Sequence, residues 1–326
     1  MQPGLRLSWY RSLDINLDHI RDASYVNLDP RFSIRRKLNL AESVYASVGL
    51  YHQYPTLMAA DISTPFDVWF PLDGSLKPGN SMHYLLGYKN QFSPDLALDL
   101  ELYYKGYNNI LEYDAATDYD WNNDEGELAD VFHQGKGFTY GADLLLRTYW
   151  RGLEGFIGLT LSKTKRKMQE ANIDPFSHEA QSYYPKYDRS YALSVVQTMN
   201  LSQYTGNQLW GADFKVGVNF SLNSGQPTER PERIYFDGDD YGIIYSYKDS
   251  DRLPAYCRLD ISTKYEWTTS WGSIEPYLEV INILNRENVG FRNYKIEADD
   301  DGTMHLVTDD SGQFPLLPFI GVNVKW

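Results

Sequence analysis

Hydrophobic and polar positions alternate along most of this chain, and its last nine residues show the alternation most plainly. In 318–326, Ile320, Val322, Val324 and Trp326 fall on one side of an extended strand, with Gly321, Asn323 and Lys325 on the other, because successive side chains point to opposite faces. In 95–105 the same split sets Leu96, Leu98, Leu100, Leu102 and Tyr104 against Ala97, Asp99, Glu101, Tyr103 and Lys105. In 253–267 it sets Leu259, Ile261, Thr263, Tyr265 and Trp267 against Arg258, Asp260, Ser262, Lys264 and Glu266. The same period predicts further strands near 4–11, 31–38, 44–52, 83–92, 136–150, 153–165, 187–201, 209–223 and 274–285, and the terminal strand can start at 316, so there are about twelve in all.

The connections between these strands alternate in length. Those at 39–42, 93–94, 151–152, 202–208 and 268–272 are short, and those near 12–30, 53–79, 108–135, 166–186, 224–252 and 286–314 are long. Transmembrane β-barrels have short periplasmic turns and long extracellular loops, so this alternation is expected when every odd strand runs outward and every even one returns. A soluble sandwich or propeller has no reason to keep its long loops at one end. The fold expected is all-β, an antiparallel transmembrane β-barrel of about twelve strands. Outward apolar rows then face outer-membrane lipid, and Trp326 closes the last row in an interfacial aromatic girdle.

Composition changes the picture in three ways. Aromatics are 15% of the chain, with 27 Tyr and 8 Trp, while hydrophobic residues reach only 42%; no run approaches the ~18 apolar residues of a spanning helix, so any hydrophobic surface must lie in every second residue. The net charge of -14 argues against a nucleic-acid partner, because affinity for phosphate backbones comes from Lys and Arg. The single Cys257 forbids an internal disulfide and a thiolate metal cluster. No charged start followed by an apolar core stands near Met1, which for an outer-membrane protein leads to the expectation that an N-terminal part is missing.

Several short segments, in order, carry a family resemblance. Leu28-Asp29-Pro30-Arg31-Phe32-Ser33-Ile34-Arg35, Tyr51-His52-Gln53-Tyr54-Pro55, Tyr84-Leu85-Leu86-Gly87-Tyr88 and Leu102-Tyr103-Tyr104-Lys105 come first. Ser224-Gly225-Gln226-Pro227-Thr228, Leu253-Pro254-Ala255-Tyr256-Cys257-Arg258-Leu259-Asp260, Asn282-Ile283-Leu284-Asn285-Arg286-Glu287-Asn288 and Leu317-Pro318-Phe319-Ile320-Gly321 follow. Together they resemble the C-terminal half of the barrel of TonB-dependent outer-membrane receptors. Nothing in the chain resembles the plug domain or the TonB-contacting box, and the usual terminal Phe is Trp326. The resemblance implies one barrel domain over 1–326, the C-terminal portion of a 22-stranded, plugged barrel in the outer membrane of a Gram-negative bacterium. It also implies active uptake of a scarce solute such as a siderophore, cobalamin or a glycan, with TonB acting through the missing plug region. Phe319, Gly321, Val324 and Trp326 would then carry the signal read by the barrel-assembly machinery. A passive porin or diffusion channel, or a surface adhesin barrel, is the alternative.

Candidate chemistry lies in the long loops. The segment 112–130 holds eight acidic residues and no Lys, Arg or His; it reads as a solvated acidic rim or, less well, a calcium site, since Asp118-x-Asp120-x-Asn122 lacks the glycine and spaced Glu of a calcium hairpin. Asp237, Asp239 and Asp240, and the run 299–301, form smaller clusters. Trp69, Phe70, Tyr119, Trp121, Phe236 and Tyr241 are the candidate ligand-binding residues, with Phe66 and Tyr245 beside them, because an aromatic face offers apolar contact with a polar edge. They could equally pack the loops together. Ser224 to Pro227 reads foremost as a turn, Asn282 and Asn285 as backbone partners where a ladder ends, and Arg258, Asp260, Lys264 and Glu266 as a charge-compensated inner wall. No catalytic motif, metal site or cofactor is expected: Gly135-x-Gly137 opens a strand rather than a helix, and His83 points inward with Gly87 and Lys89.

Overall fold

The computed structural model describes residues 1–12, 22–58, 68–72, 74–113, 132–169, 172–173, 177–209, 211–236, 238, 240–245 and 251–326. Twelve strands form the wall: β1 (Gln2–Arg11), β2 (Ser24–Lys37), β3 (Glu42–Gln53), β4 (Gly79–Ser93), β5 (Leu96–Tyr113), β6 (Phe132–Trp150), β7 (Leu153–Met168), β8 (Tyr191–Asn200), β9 (Asp213–Asn223), β10 (Tyr256–Thr269), β11 (Gly272–Ile281) and β12 (Leu317–Lys325). Each pairs antiparallel with the next in chain order, so the sheet is an up-and-down meander. Among the described residues β1 and β12 stand at its two open edges.

All twelve expected strands are present, and their register aligns the two faces across the sheet. Ile34, Ala46, Leu86, Leu102, Ala142 and Leu161 stand opposite one another from β2 to β7. Val218, Ile261, Val280 and Pro318 do the same from β9 to β12. This face is exposed although apolar, with Leu5, Leu7 and Trp9 each 69% accessible and Ile320 87%, as a lipid-facing surface requires. The other face is polar. Asp99 is paired there with Lys89 at 3.3 Å and Arg147 at 2.7 Å, and the Tyr45 hydroxyl donates to Glu101.

Several boundaries differ from the sequence reading. Residues 24–30, expected in a loop, belong to β2 and pair with β1. Pro30 fits because it stands beyond the β2–β3 ladder, which ends at Arg31 and Gly49, so on that side no strand asks for the N–H it lacks. The hairpin of β5 and β6 reaches Tyr113 and Phe132, past a bulge at Asn109, whose φ is 50°. β11 stops at Ile281, because Asn282 and Asn285 turn the chain at φ of 53° and 45°. The connection expected as a short turn at 202–208 is a helical turn, Leu201–Thr205, whose N-cap Asn200 accepts from Gln203 N at 3.2 Å and which ends on left-handed Gly206. The β8–β9 link then spans 201–212, longer than expected and equal to the β1–β2 link at 12–23, yet it is still shorter than the links on either side of it, 169–190 and 224–255, so long and short continue to alternate. Alternation of side holds throughout, since consecutive strands are antiparallel and the remaining long loops all leave from one end.

Candidate ligand-binding loops

The wall itself buries little; among the described residues one cluster of buried apolar side chains forms where a long loop folds against it. Leu72, Leu76 and Phe132 pack with Tyr10, Tyr25, Tyr54, Leu111 and Tyr113. Tyr10 and Tyr25 donate their hydroxyls to the carbonyls of Leu72 and Leu76 at 2.9 and 2.7 Å, and Tyr10 stacks on Tyr54 at 4.9 Å. Sequence reasoning missed this cluster, since Leu72 and Leu76 stand alone in a loop with no periodic partner.

Among the described residues three hairpins stand in the long loops. Thr56–Met58 pairs with Val68–Phe70, Pro231–Phe236 with Tyr241–Tyr245, and Val289–Ala298 with Met304–Gly312. Phe236 and Tyr241 are the last pair before the turn of the second hairpin; their rings lie 4.9 Å apart at 45° and both are exposed. Tyr245 reaches the third hairpin, 6.2 Å from Tyr294 and edge-on to it. Burial, then the nearby Glu229 carboxylate and Tyr294, push the Tyr245 hydroxyl above its ordinary pKa. The third hairpin is braced by Arg292, which donates to both oxygens of Asp310 at 2.6 and 2.8 Å, and by the Lys295–Asp309 ion pair. The hydrogen bonds from Arg292 hold the Asp310 carboxyl below its usual range.

The candidate residues are therefore only partly brought together. Phe236 and Tyr241 form one pair, and Tyr245 and Tyr294 extend it to a second loop. Trp69 is exposed on the first hairpin, where Phe70 ends the strand. Tyr119, Trp121, Phe66 and the residues Asp118, Asp120 and Asn122 of the calcium-like run lie outside the described residues, as do Asp237 and Asp239. Asp301 accepts from Thr303 N at 2.9 Å, a turn-forming role that lowers its pKa.

The residues read as structural behave so. The Asn282 amide donates to Arg286 O and Phe314 O at 3.0 and 3.1 Å, and Asn285 accepts from Leu316 N at 3.1 Å. A Cβ on Gly225 would lie 1.6 Å from Leu253 O, so close backbone approach demands glycine there. Arg258 pairs with Asp260, Lys215 with Glu266 and Lys264 with Glu275, which leaves that part of the inner wall charge-compensated. His83 faces inward as expected, 2.9 Å from Ser81 Oγ and beside the Tyr51 ring.

Known proteins are similar to this architecture over most of its length. The family model "TonB dependent receptor-like, beta-barrel" matches residues 1–283. No curated protein sequence matches the chain. Among solved structures, the ferripyoverdine receptor of Pseudomonas aeruginosa is 15% identical with a TM-score of 0.58, covering 98% of this chain and 35% of its own. BauA, the ferric preacinetobactin receptor of Acinetobacter baumannii, is 12% identical with a TM-score of 0.58, covering 99% and 40%. The ferric enterobactin receptor PfeA of Pseudomonas aeruginosa is 15% identical with a TM-score of 0.53, covering 98% and 42%. The chain thus spans less than half the length of each of these receptors.

Proposed function

The chain belongs to the TonB-dependent receptor β-barrel family of the Gram-negative outer membrane, and we propose that its twelve strands are part of the wall of a larger, plugged receptor that takes up a scarce solute. The observation that carries this is the joining of a lipid-facing meander to aromatic hairpins that all leave from one end. Open edges at β1 and β12 support further strands, since unpaired backbone groups cost several kcal/mol each in lipid and family transporters close at about 22 strands.

The solute is captured at the outer loops, where Trp69, Phe70, Tyr119, Trp121, Phe236 and Tyr241 offer aromatic faces to a compact ligand with an apolar face and polar edge. A ferric siderophore fits that description, and the similar solved structures are named for such ligands. Release into the periplasm requires TonB to act on a plug inside the wall, and assembly requires recognition of Phe319, Gly321, Val324 and Trp326 by the barrel-assembly machinery. The test is accumulation of radiolabelled ferric siderophores by cells carrying the full-length receptor, with and without TonB. TonB-dependent uptake reduced about tenfold or more by the double change Phe236→Ala and Tyr241→Ala is expected, on the usual cost of removing aromatic anchors. Uptake equal in cells lacking TonB would instead make the protein a passive channel.

A further inference from the structure

The carboxylate of Asp188 lies outside the strands and outside the solute-capturing aromatics, yet its side chain is fully buried where two long loops meet. One oxygen accepts from Thr164 N of β7 at 2.8 Å and the other from Arg252 at 2.5 Å. Asp188 belongs to the link between β7 and β8, and Arg252, 64 residues later, to the returning leg of the link between β9 and β10. The same guanidinium donates to Gly225 O on the outgoing leg at 3.1 Å and lies 4.9 Å from the centre of the Tyr184 ring. One planar side chain therefore holds three stretches of chain. A lysine, with a point charge in place of a fork, could hold the carboxylate but not all three.

The joint continues around that contact. Arg189 donates to Ser224 O, and Ser224 Oγ accepts from Ser190 N, both at 2.8 Å. Pro227 and Thr228 pair with Arg252 and Asp251, and Leu253 N donates to Gln226 O at 2.9 Å, so the two legs are stapled at their root. The close approach of Gly225 to Leu253 O belongs to the same staple. Only Glu229 and Arg230 separate Thr228 from Pro231, where the hairpin carrying Phe236 and Tyr241 begins. On the other side of the joint, Tyr183 donates its hydroxyl to Glu112 of β5, and Arg166 of β7 donates to the same carboxylate at 3.4 Å. Contacts therefore run from β5 through 183–188 to Arg252, and from there to the aromatic hairpin. A charged hydrogen bond out of water is strong while both partners stand, and losing one leaves a buried charge unpaired.

We propose that Asp188 and Arg252 form a clasp that makes these two external loops one mechanical unit, so that displacement of the hairpin at Phe236 and Tyr241 is felt at 183–188, and the reverse. Such coupling is reciprocal by linkage. Both are positioning residues: Asp188 is shut away from solvent and Arg252 has its fork engaged, so each acts through the hairpin it holds. The inference rests on the reading above that the aromatic hairpins capture the solute, but not on which solute that is.

The experiment uses the full-length receptor in lipid nanodiscs, with no solute added, and reads amide hydrogen exchange by mass spectrometry. Peptides over 183–190 and 226–236 report the two loops, and β5, β9 and β10 serve as the wall reference. Asp188→Asn keeps an acceptor for Thr164 N but removes the charge, whereas Arg252→Gln removes the fork. Each should speed exchange about tenfold or more in both peptides while leaving the wall at wild-type rates. The double variant should be no faster than the faster single one, because both break the same contact. Arg252→Lys, which keeps the ion pair without the fork, should exchange at rates between those of the wild type and Arg252→Gln, and it serves where another variant gives no heat-modifiable barrel. Faster exchange confined to the loop that carries the substitution overturns the proposal. So do additive effects in the double variant, or an Arg252→Lys protein as fast as Arg252→Gln. Since no solute enters the measurement, a failure to detect uptake would count against the transport reading alone.

Discussion

Leu144 and Leu145 are adjacent on β6, yet the same substitution should have very different consequences at the two positions. Leu144 stands in register with Leu100 and Leu159 on the apolar face, whereas Leu145 stands opposite Asp99 and Gly158 on the polar one. On the lipid face β6 runs from Tyr140 to Trp150. Ten residues at ~3.3 Å each, tilted by ~45°, span roughly 23 Å along the membrane normal. That is close to the ~25 Å apolar band of such barrels, so the two rings mark its two girdles. Leu144 lies four positions from Tyr140, near the middle of that span. An arginine at the midplane of the lipid face costs roughly 2–4 kcal/mol, a shift of roughly 30-fold to nearly 1,000-fold in the folding equilibrium. Leu145→Arg instead places its guanidinium beside Asp99, which is already paired with Lys89 and Arg147, in water, where an added ion pair is worth about 1 kcal/mol at most. Unfolding of the full-length protein in lipid vesicles, followed by tryptophan fluorescence against urea, should therefore separate the two variants by ~2 kcal/mol or more. Equal destabilisation, or a larger loss for Leu145→Arg, would refute the assignment of faces.

Deleting Trp326, 94% exposed at the end of β12, should cut the amount of heat-modifiable barrel in outer membranes several-fold while leaving urea-refolded protein equally soluble; undiminished assembly would remove this residue from the targeting signal. Asp310, whose carboxyl is held low by its hydrogen bonds from Arg292, should stabilise the hairpin of Val289–Ala298 and Met304–Gly312 fully above the ordinary carboxylate value of about 3.9. That contribution should fade as pH falls through the depressed folded-state value. Amide exchange across the hairpin should show this acid sensitivity in the wild type, and an Asp310→Asn variant that keeps it would exclude Asp310 as the titrating group.

The wall was legible in the sequence because its physics is local. A strand facing lipid on one side and water on the other must alternate, and β5 does so over 96–105, β10 over 258–267 and β12 over 320–325. Where the environment stops being two-sided, the signal stops. Residues 24–30 of β2 include Asn27, Asp29 and Pro30, which read as loop in the sequence, and the burial of Asp29 comes from His52, 2.6 Å away on β3, a partner no local period shows. The upper part of β5 is hidden in the sequence because its bulge at Asn109 breaks the period. The candidate site was less legible still. Exposed aromatics could be named from the sequence, but the contact between Tyr245 and Tyr294 joins two loops far apart in the chain, and nothing local specifies it.

The aromatic content also acquires a second meaning from the structure. Read as a sequence, 27 tyrosines suggest interfacial girdles, and Tyr84, Tyr104 and Tyr140 fit that role. Others face the polar side and lie across a glycine on the next strand. A Cβ on Gly87 would fall 2.1 Å from the Tyr45 ring, on Gly141 2.5 Å from the Tyr103 hydroxyl, and on Gly321 2.5 Å from the Tyr277 ring. In each pair the glycine stands directly across the ladder from its tyrosine. The missing side chain leaves a flat recess that the ring fills, so each joint buries apolar area on the wet face, where the alternating pattern supplies few apolar side chains. Glycine weakens a strand interior, and its recurrence opposite tyrosine is explained by this packing rather than by a need for unusual backbone angles. Gly321 belongs both to such a joint, with Tyr277, and to the terminal segment proposed as the assembly signal. At that residue a requirement for β11–β12 packing and one for recognition would constrain the same position.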